Sequence, residues 1–169
     1  KKNTNTPICI DTEGAQIRTK IKFKKKFKEK QIFKVNRSNK NLLFYPDYIN
    51  GKLKKNDIFE IGFSGLEAKL IKINKFFLYF HFLKAGLLEN NKGVHIKNRN
   101  IKMEYLTEKD ILAIKIAKKY KIKNYALSFT NSSDDIENFN LILKKENKIF
   151  KIETKKALKN IKFISKKGK

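Results

Sequence analysis

The apolar run Pro7-Ile8-Cys9-Ile10 gives way to the polar stretch Asp11-Thr12-Glu13-Gly14, a pattern that predicts a buried strand ending in a turn. From about Thr19 to Asn100 the texture is that of a β domain. Apolar and charged residues alternate in Ile21-Lys22-Phe23-Lys24 and in Ile32-Phe33-Lys34-Val35. Further strands are predicted at Ile58-Phe59-Glu60-Ile61, Lys69-Leu70-Ile71-Lys72-Ile73 and Phe77-Leu78-Tyr79-Phe80-His81-Phe82. Turn signals stand between them at Asn50-Gly51, Ser64-Gly65 and Ala85-Gly86. Several short strands at even spacing, with few helical signals and no fixed repeat, predict a small β-barrel or sandwich.

After about Ile101 the period changes. Thr107-Glu108-Lys109-Asp110 resembles a capping box, and apolar residues follow at Ile111, Ile114 and Ala117 and at Leu112, Ile116 and Tyr120, with lysines at the C-terminal end. A short buried strand is predicted at Tyr125-Ala126-Leu127-Ser128-Phe129. Ser132 or Ser133 then caps a helix that turns Ile136, Phe139 and Leu143 inward. Ile149 to Glu153 predicts another strand, and Thr154 caps a helix with Ala157, Ile161 and Ile164 on one face. Helix and strand in alternation with short loops imply parallel strands and an α/β layer. The fold expected is therefore an α/β scaffold interrupted by an all-β insertion.

Composition narrows the function classes. The chain has 169 residues, 40% hydrophobic and 12% aromatic, enough for a packed core rather than wholesale disorder. The longest apolar stretch, Phe76 to Leu83, is too short to span a bilayer and carries His81. The basic N-terminus has no apolar region after it, so no secretory signal is expected. A lone Cys9 excludes an intramolecular disulfide framework and a Cys-rich zinc site. Net charge is +25, yet of 41 basic residues only Arg18, Arg37 and Arg99 are arginine. Recognition of phosphates and bases favours the planar fork of arginine. Lysine, asparagine and isoleucine share A/T-rich codons, so a biased genome yields this composition too. The charge suits polyanionic small molecules or RNA and chooses neither.

Three sites could carry chemistry. In Asp11 to Thr19 a carboxylate and Arg18 follow a strand end; they could bind a cation and a phosphate, or simply form a stabilised turn with an exposed arginine. In Lys151-Ile152-Glu153 the two charges, two residues apart, project from one side of a strand while Phe150 and Ile152 face the helices. At the C-terminal end of a barrel strand such charges read as catalytic, or as a structural ion pair. Lys92-Gly93-Val94-His95 could meet a phosphate or be a solvated turn. His81 and His95 lack partners at metal-ligand spacing and are read as packing or surface residues.

Taken in order, these segments resemble pyruvate kinase. Asp11 to Thr19 is similar to the family's strand-end motif Asp-Thr-Lys-Gly-Pro-Glu-Ile-Arg-Thr, and the β-rich insertion sits where that family inserts its mobile lid. Lys92-Gly93-Val94-His95 resembles the Lys-Gly-Val-Asn at the lid's return. Leu106 to Asp110 resembles the start of the next barrel helix, Ala126-Leu127-Ser128-Phe129 the next strand, and Phe150 to Thr154 the active-site strand Ala-Lys-Ile-Glu-Asn. The chain departs from the pattern at Glu13, Ala15, Gln16 and Asn131, and lacks the lid's acidic pair around Ile61 to Gly65.

The resemblance implies a partial (β/α)8 TIM-type barrel with an inserted all-β barrel domain: residues 1–19 a barrel strand and active-site loop, 20–100 the lid, 101–169 a second α/β segment. It implies phosphoryl transfer from phosphoenolpyruvate to ADP, with Mg2+ and K+ as cofactors. Asp11 and Thr12 would bind K+, Glu153 would bind Mg2+, and Arg18 and Lys92 would contact nucleotide phosphates. Lys151 would be catalytic, and Lys151 and Ser128 would contact substrate. The expected partners are phosphoenolpyruvate and ADP or ATP in a cytoplasmic homo-oligomer, with neither membrane nor nucleic acid among them. A full (β/α)8 barrel needs roughly 250 residues, so this stretch is expected to be the middle of a longer chain and inactive alone. The alternatives are a family member without catalysis and a basic RNA-associated protein.

Overall fold

A computed structural model describes residues 6–37, 43–62 and 65–168. The chain runs through β1 (Cys9–Asp11), β2 (Ile17–Lys20), β3 (Lys25–Phe27), β4 (Ile32–Asn36), β5 (Leu43–Tyr45) and a 3-10 helix (Asp47–Lys52). It continues through β6 (Ile58–Ile61), β7 (Leu66–Ile73), β8 (Phe77–Lys84), β9 (Gly86–Leu88) and β10 (Gly93–Ile96). Last come α1 (Glu108–Lys119), β11 (Asn124–Leu127), α2 (Ser133–Ile142), β12 (Asn147–Phe150), α3 (Lys155–Lys159) and α4 (Ile161–Lys167). These elements form two compact units, Lys1–Ala15 with Met103–Lys169, and Gln16–Lys102.

In the first unit β1, β11 and β12 form a parallel three-stranded sheet in that order. Helices α1, α2 and α3 start where side chains take up free backbone N–H groups. Thr107 and Ser132 are N-caps in reciprocal capping boxes with Asp110 and Asp135, and Thr154 accepts from Ala157 N. Leu106, Ile114, Ala117, Tyr125, Leu127, Phe139 and Leu143 pack into one core, and Ile136, Ala157 and Ile164 into a smaller one beside Phe150 and Ile152. The packing is narrower than the helical stripes predict. Ile111, Leu112 and Ile116 of α1 and its C-cap Tyr120 are exposed, as is Ile161 of α4. The α1 core contact falls on Asp110, Ile114 and Ala117. The last helix breaks at Asn160, which ends α3 and begins α4.

Two strands of this unit differ from those the sequence predicts. The run Pro7–Ile10 does not form a buried strand: β1 pairs on one side only among the described residues, and Cys9 and Ile8 are exposed. The strand at Ile149–Glu153 is shifted towards the N-terminus, because the partner strand β11 stops at Leu127 and Phe129 turns to φ +54°. Lys151 still donates its N–H to the Leu127 carbonyl at 3.0 Å, and its own carbonyl accepts from Thr130 N at 3.1 Å.

The second unit is an antiparallel seven-stranded sheet in the order β4-β8-β7-β6-β10-β2-β5, a half-barrel accompanied by the β3-β9 pair. Its core is aromatic. Phe27 stacks on Phe82 at 4.1 Å between centroids, Phe44 on Phe59 at 5.2 Å, and Phe59 meets Phe80 edge-on at 5.7 Å. The alternation at Ile21–Lys24 does not make a strand. Ile21 is buried, but its N–H is taken by the Asn90 side chain at 3.1 Å rather than by a neighbouring strand. Asn50-Gly51 lies within the 3-10 helix. Phe63 and Ser64, part of the expected turn and of the stretch without an acidic pair, lie outside the described residues. Residues 17–19, expected with the α/β part, pair as β2 with β10 and β5 and so belong to the antiparallel sheet.

Candidate active site

The C-terminal ends of the three parallel strands gather five of the expected site residues. Asp11, at the end of β1, accepts from the Lys151 ammonium at 2.8 Å through one carboxylate oxygen and from Ser128 Oγ at 2.9 Å through the other. Thr12 Oγ1 accepts from Ser128 N at 3.0 Å, and Thr12 N donates to the Ala126 carbonyl at 3.0 Å. Glu153 faces the same ammonium, with Oε1 at 3.6 Å from Lys151 Nζ, while its Oε2 accepts from Phe129 N at 2.9 Å. Lys151 and Glu153 thus share a side, and Phe150 and Ile152 pack on the helix side. The Lys151 side chain is 31% exposed. Its pKa is raised, chiefly by the hydrogen bond to Asp11, with Glu153 adding to the effect and burial opposing it. The ammonium is accordingly a fixed positive charge at neutral pH.

A buried group not identified as part of this site from the sequence shapes the loop. Asp110, 3% exposed, accepts from Glu13 N at 2.7 Å and Gly14 N at 3.1 Å in addition to its capping bond from Thr107 N at 2.8 Å. The carboxylate that starts α1 therefore also fixes the turn after β1. Gly14 sits at φ +66°, and a Cβ there would lie 2.3 Å from the Ser128 carbonyl oxygen, so only glycine fits. The sequence signal was the acidic residue at N3 of a capping box; its long-range bonds have no local signature. Asn131, one of the departures from the resembled pattern, is a structural hub. It donates to the Phe129 carbonyl at 2.7 Å, accepts a short hydrogen bond from Thr154 Oγ1, and its carbonyl accepts from Asn160 Nδ2 at 2.8 Å.

Arg18 and Lys92 lie in the second unit, brought together by β2 and β10, where Arg18 is opposite Gly93. Arg18 Nη1 donates weakly to the Asn91 carbonyl at 3.4 Å, and its buried Nε has no hydrogen-bond partner among the described residues. Lys92 Nζ pairs with Glu89 at 2.9 Å, and Glu89 also takes Lys24 at 3.2 Å; these two lysines hold the Glu89 carboxyl below its usual range. Lys92 N donates to Thr19 Oγ1 at 2.8 Å. His95 is exposed on β10 and His81 half-buried on β8. Sequence reasoning also passed over Arg99. It clamps the buried carboxylate of Asp57 with two bonds of 2.6 and 2.7 Å, a structural pair joining the segments around β6 and β10.

As metal ligands the donors are of the right kind. Asp11 and Glu153 offer hard carboxylate oxygens, and Mg2+ is commonly held by one or two carboxylates completed by substrate phosphates and water. Among the described residues no three acidic, histidine or cysteine side chains cluster tightly enough to hold a metal alone. Among them, too, no helix is long and apolar enough to cross a membrane.

Pyruvate kinases of Buchnera aphidicola, Thermotoga maritima and Candida albicans are 30%, 27% and 26% identical over 94%, 98% and 90% of this chain. The chain spans only 36%, 38% and 34% of their respective lengths. Residues 1–168 match the family described as pyruvate kinase, barrel domain, so the chain belongs to the pyruvate kinase family.

Proposed function

We propose that the protein carrying this chain transfers the phosphoryl group of phosphoenolpyruvate to ADP, and that this chain supplies part of the catalytic centre. The observation that carries the reading is the Lys151 ammonium between the Asp11 and Glu153 carboxylates at the ends of parallel strands. In the transfer, the bond between phosphorus and the enol oxygen breaks and one to the terminal phosphate oxygen of ADP forms. Negative charge spreads over the equatorial phosphoryl oxygens as it does so. Lys151 neutralises that charge without reorganising, because its position is set in advance by two acceptors. Ser128, tied to Asp11 and Thr12, orients substrate. Arg18 and Lys92 bind nucleotide phosphates, for which Lys92 must leave Glu89.

Glu153 would hold Mg2+, and the Asp11 carboxylate with the Thr12 carbonyl would hold K+. When bound, these cations supply further neutralisation of phosphate charge. Glu153 already uses one oxygen to fix Phe129 N, leaving the other to face the site. In the full-length protein, Glu153→Ala is expected to lower phosphoenolpyruvate-dependent ATP formation by two or more orders of magnitude at saturating Mg2+. A variant at wild-type rate would refute the assignment of Glu153.

A further inference from the structure

One face of the β4-β8-β7 sheet combines aromatic rings with lysines that, among the described residues, make no ion pair with a carboxylate. Along β8 the buried Leu78, Phe80 and Phe82 alternate with Phe77, Tyr79 and His81, which lie on the opposite face. Register places Lys34 of β4 on one side of Tyr79 and Lys72 of β7 on the other. Lys34 Nζ lies 3.9 Å from the Phe77 ring centroid and 5.9 Å from that of Tyr79, and Lys72 Nζ is 5.5 Å from Tyr79. In the turn before β8, Lys75 lies over the exposed Phe76 ring at 5.6 Å.

Lysines over rings also occur elsewhere in the unit, Lys25 over Phe27 and Lys52 over Tyr48, but the β4-β8-β7 face lines up three of them along β8 and the turn before it. Lys20, Lys24, Lys84, Lys92, Lys97 and Arg99 are each paired with a carboxylate. Among the described residues, Lys34, Lys72 and Lys75 have rings beneath them instead. No acidic residue occurs in β4, in β8 or from Ala68 to Ile73 of β7. Arg37 extends it beyond β4, its side chain reaching the Asn74 carbonyl.

We infer that this face binds single-stranded nucleic acid. Unpaired bases present π-faces that stack on aromatic side chains, and the connecting phosphates meet ammonium groups held in cation–π contact beside them. Duplexes fit poorly, since their bases are already stacked and cannot lie on a sheet. Overall basicity gave no reason to favour one surface; the register of β8 with its two neighbours does.

Fluorescence anisotropy of the full-length protein with a labelled twelve-nucleotide oligo-dT, and with the matching duplex, tests this. Single-strand affinity is expected to fall with salt on a log–log slope of about −2 to −3, at about −0.7 for each neutralised phosphate. Tyr79→Ala should weaken binding about tenfold, within the span of one lost stacking contact, while Tyr79→Phe should retain it. Lys34→Glu with Lys72→Glu should weaken it further, and Lys26→Glu with Lys28→Glu, an equal charge change elsewhere, should have little effect. Circular dichroism melts of each variant separate lost binding from lost fold. No binding, equal affinity for the duplex, or equal loss in the Lys26 and Lys28 variant would overturn the inference. So would phosphatidylserine vesicles binding as tightly with the same dependence on Tyr79.

Discussion

Asp110 shows how much one side chain can fix. Its buried carboxylate accepts three backbone N–H groups, one that starts α1 and two from the turn after β1. Leaving buried donors unpaired costs about 1–3 kcal/mol each. Asp110→Ala is therefore expected to lower stability by about 3 kcal/mol in urea unfolding, and a loss below about 1 kcal/mol, the size of a cap alone, would mean that the turn does not depend on it. Lys151 gives a pH-dependent counterpart. Its pKa is raised on folding, first by Asp11 and then by Glu153. The stability from this charge is fully present below the ordinary lysine pKa and is lost as pH rises through the raised one. Urea midpoints of wild type and Lys151→Met should thus differ by a constant amount through neutral pH and converge in strongly alkaline solution. A gap that widens there would reverse the assigned sign.

Helix starts were the most legible elements, because a cap is a local device. Thr107, Ser132 and Thr154 each stand where a hydroxyl precedes an apolar period, and each accepts the expected N–H. For the pair Ser132 or Ser133 the structure selects Ser132, so Ser132→Ala should destabilise by about 1 kcal/mol and Ser133→Ala by almost nothing in the same thermal-melt series. Equal effects would contradict the assignment. Strand limits were less legible, since they depend on a partner distant in sequence. Ile21–Lys24 alternates as a strand should, but its first N–H goes to Asn90. Ile149–Glu153 loses its last residues from the sheet because β11 ends first. Helix faces were overestimated for the same reason: Ile111 and Ile161 fit the period but are exposed.

For the whole molecule, the division into a parallel α/β unit and an antiparallel β unit, with bounds at Gln16 and Lys102, lies close to the changes of hydrophobic period read at about Thr19 and Ile101. The gathering of Asp11, Ser128, Lys151 and Glu153 was legible only through the order of their motifs, because nothing local in Asp11 announces a partner 140 positions away. Asp110 and Asn131 were missed as organising groups: Asp110 acts through backbone N–H groups that any residue could provide, and Asn131 through the side chains of Thr154 and Asn160, which lie far from it in sequence. The central claim is that this cluster moves a phosphoryl group, and 31P NMR of the full-length protein reads that directly. With phosphoenolpyruvate, ADP, Mg2+ and K+, the phosphoenolpyruvate resonance should decline as the γ-phosphate resonance of ATP grows, and Lys151→Met should abolish both changes while ADP still binds. A wild-type protein that forms no ATP, or a Lys151→Met variant that forms it at the same rate, would contradict the account.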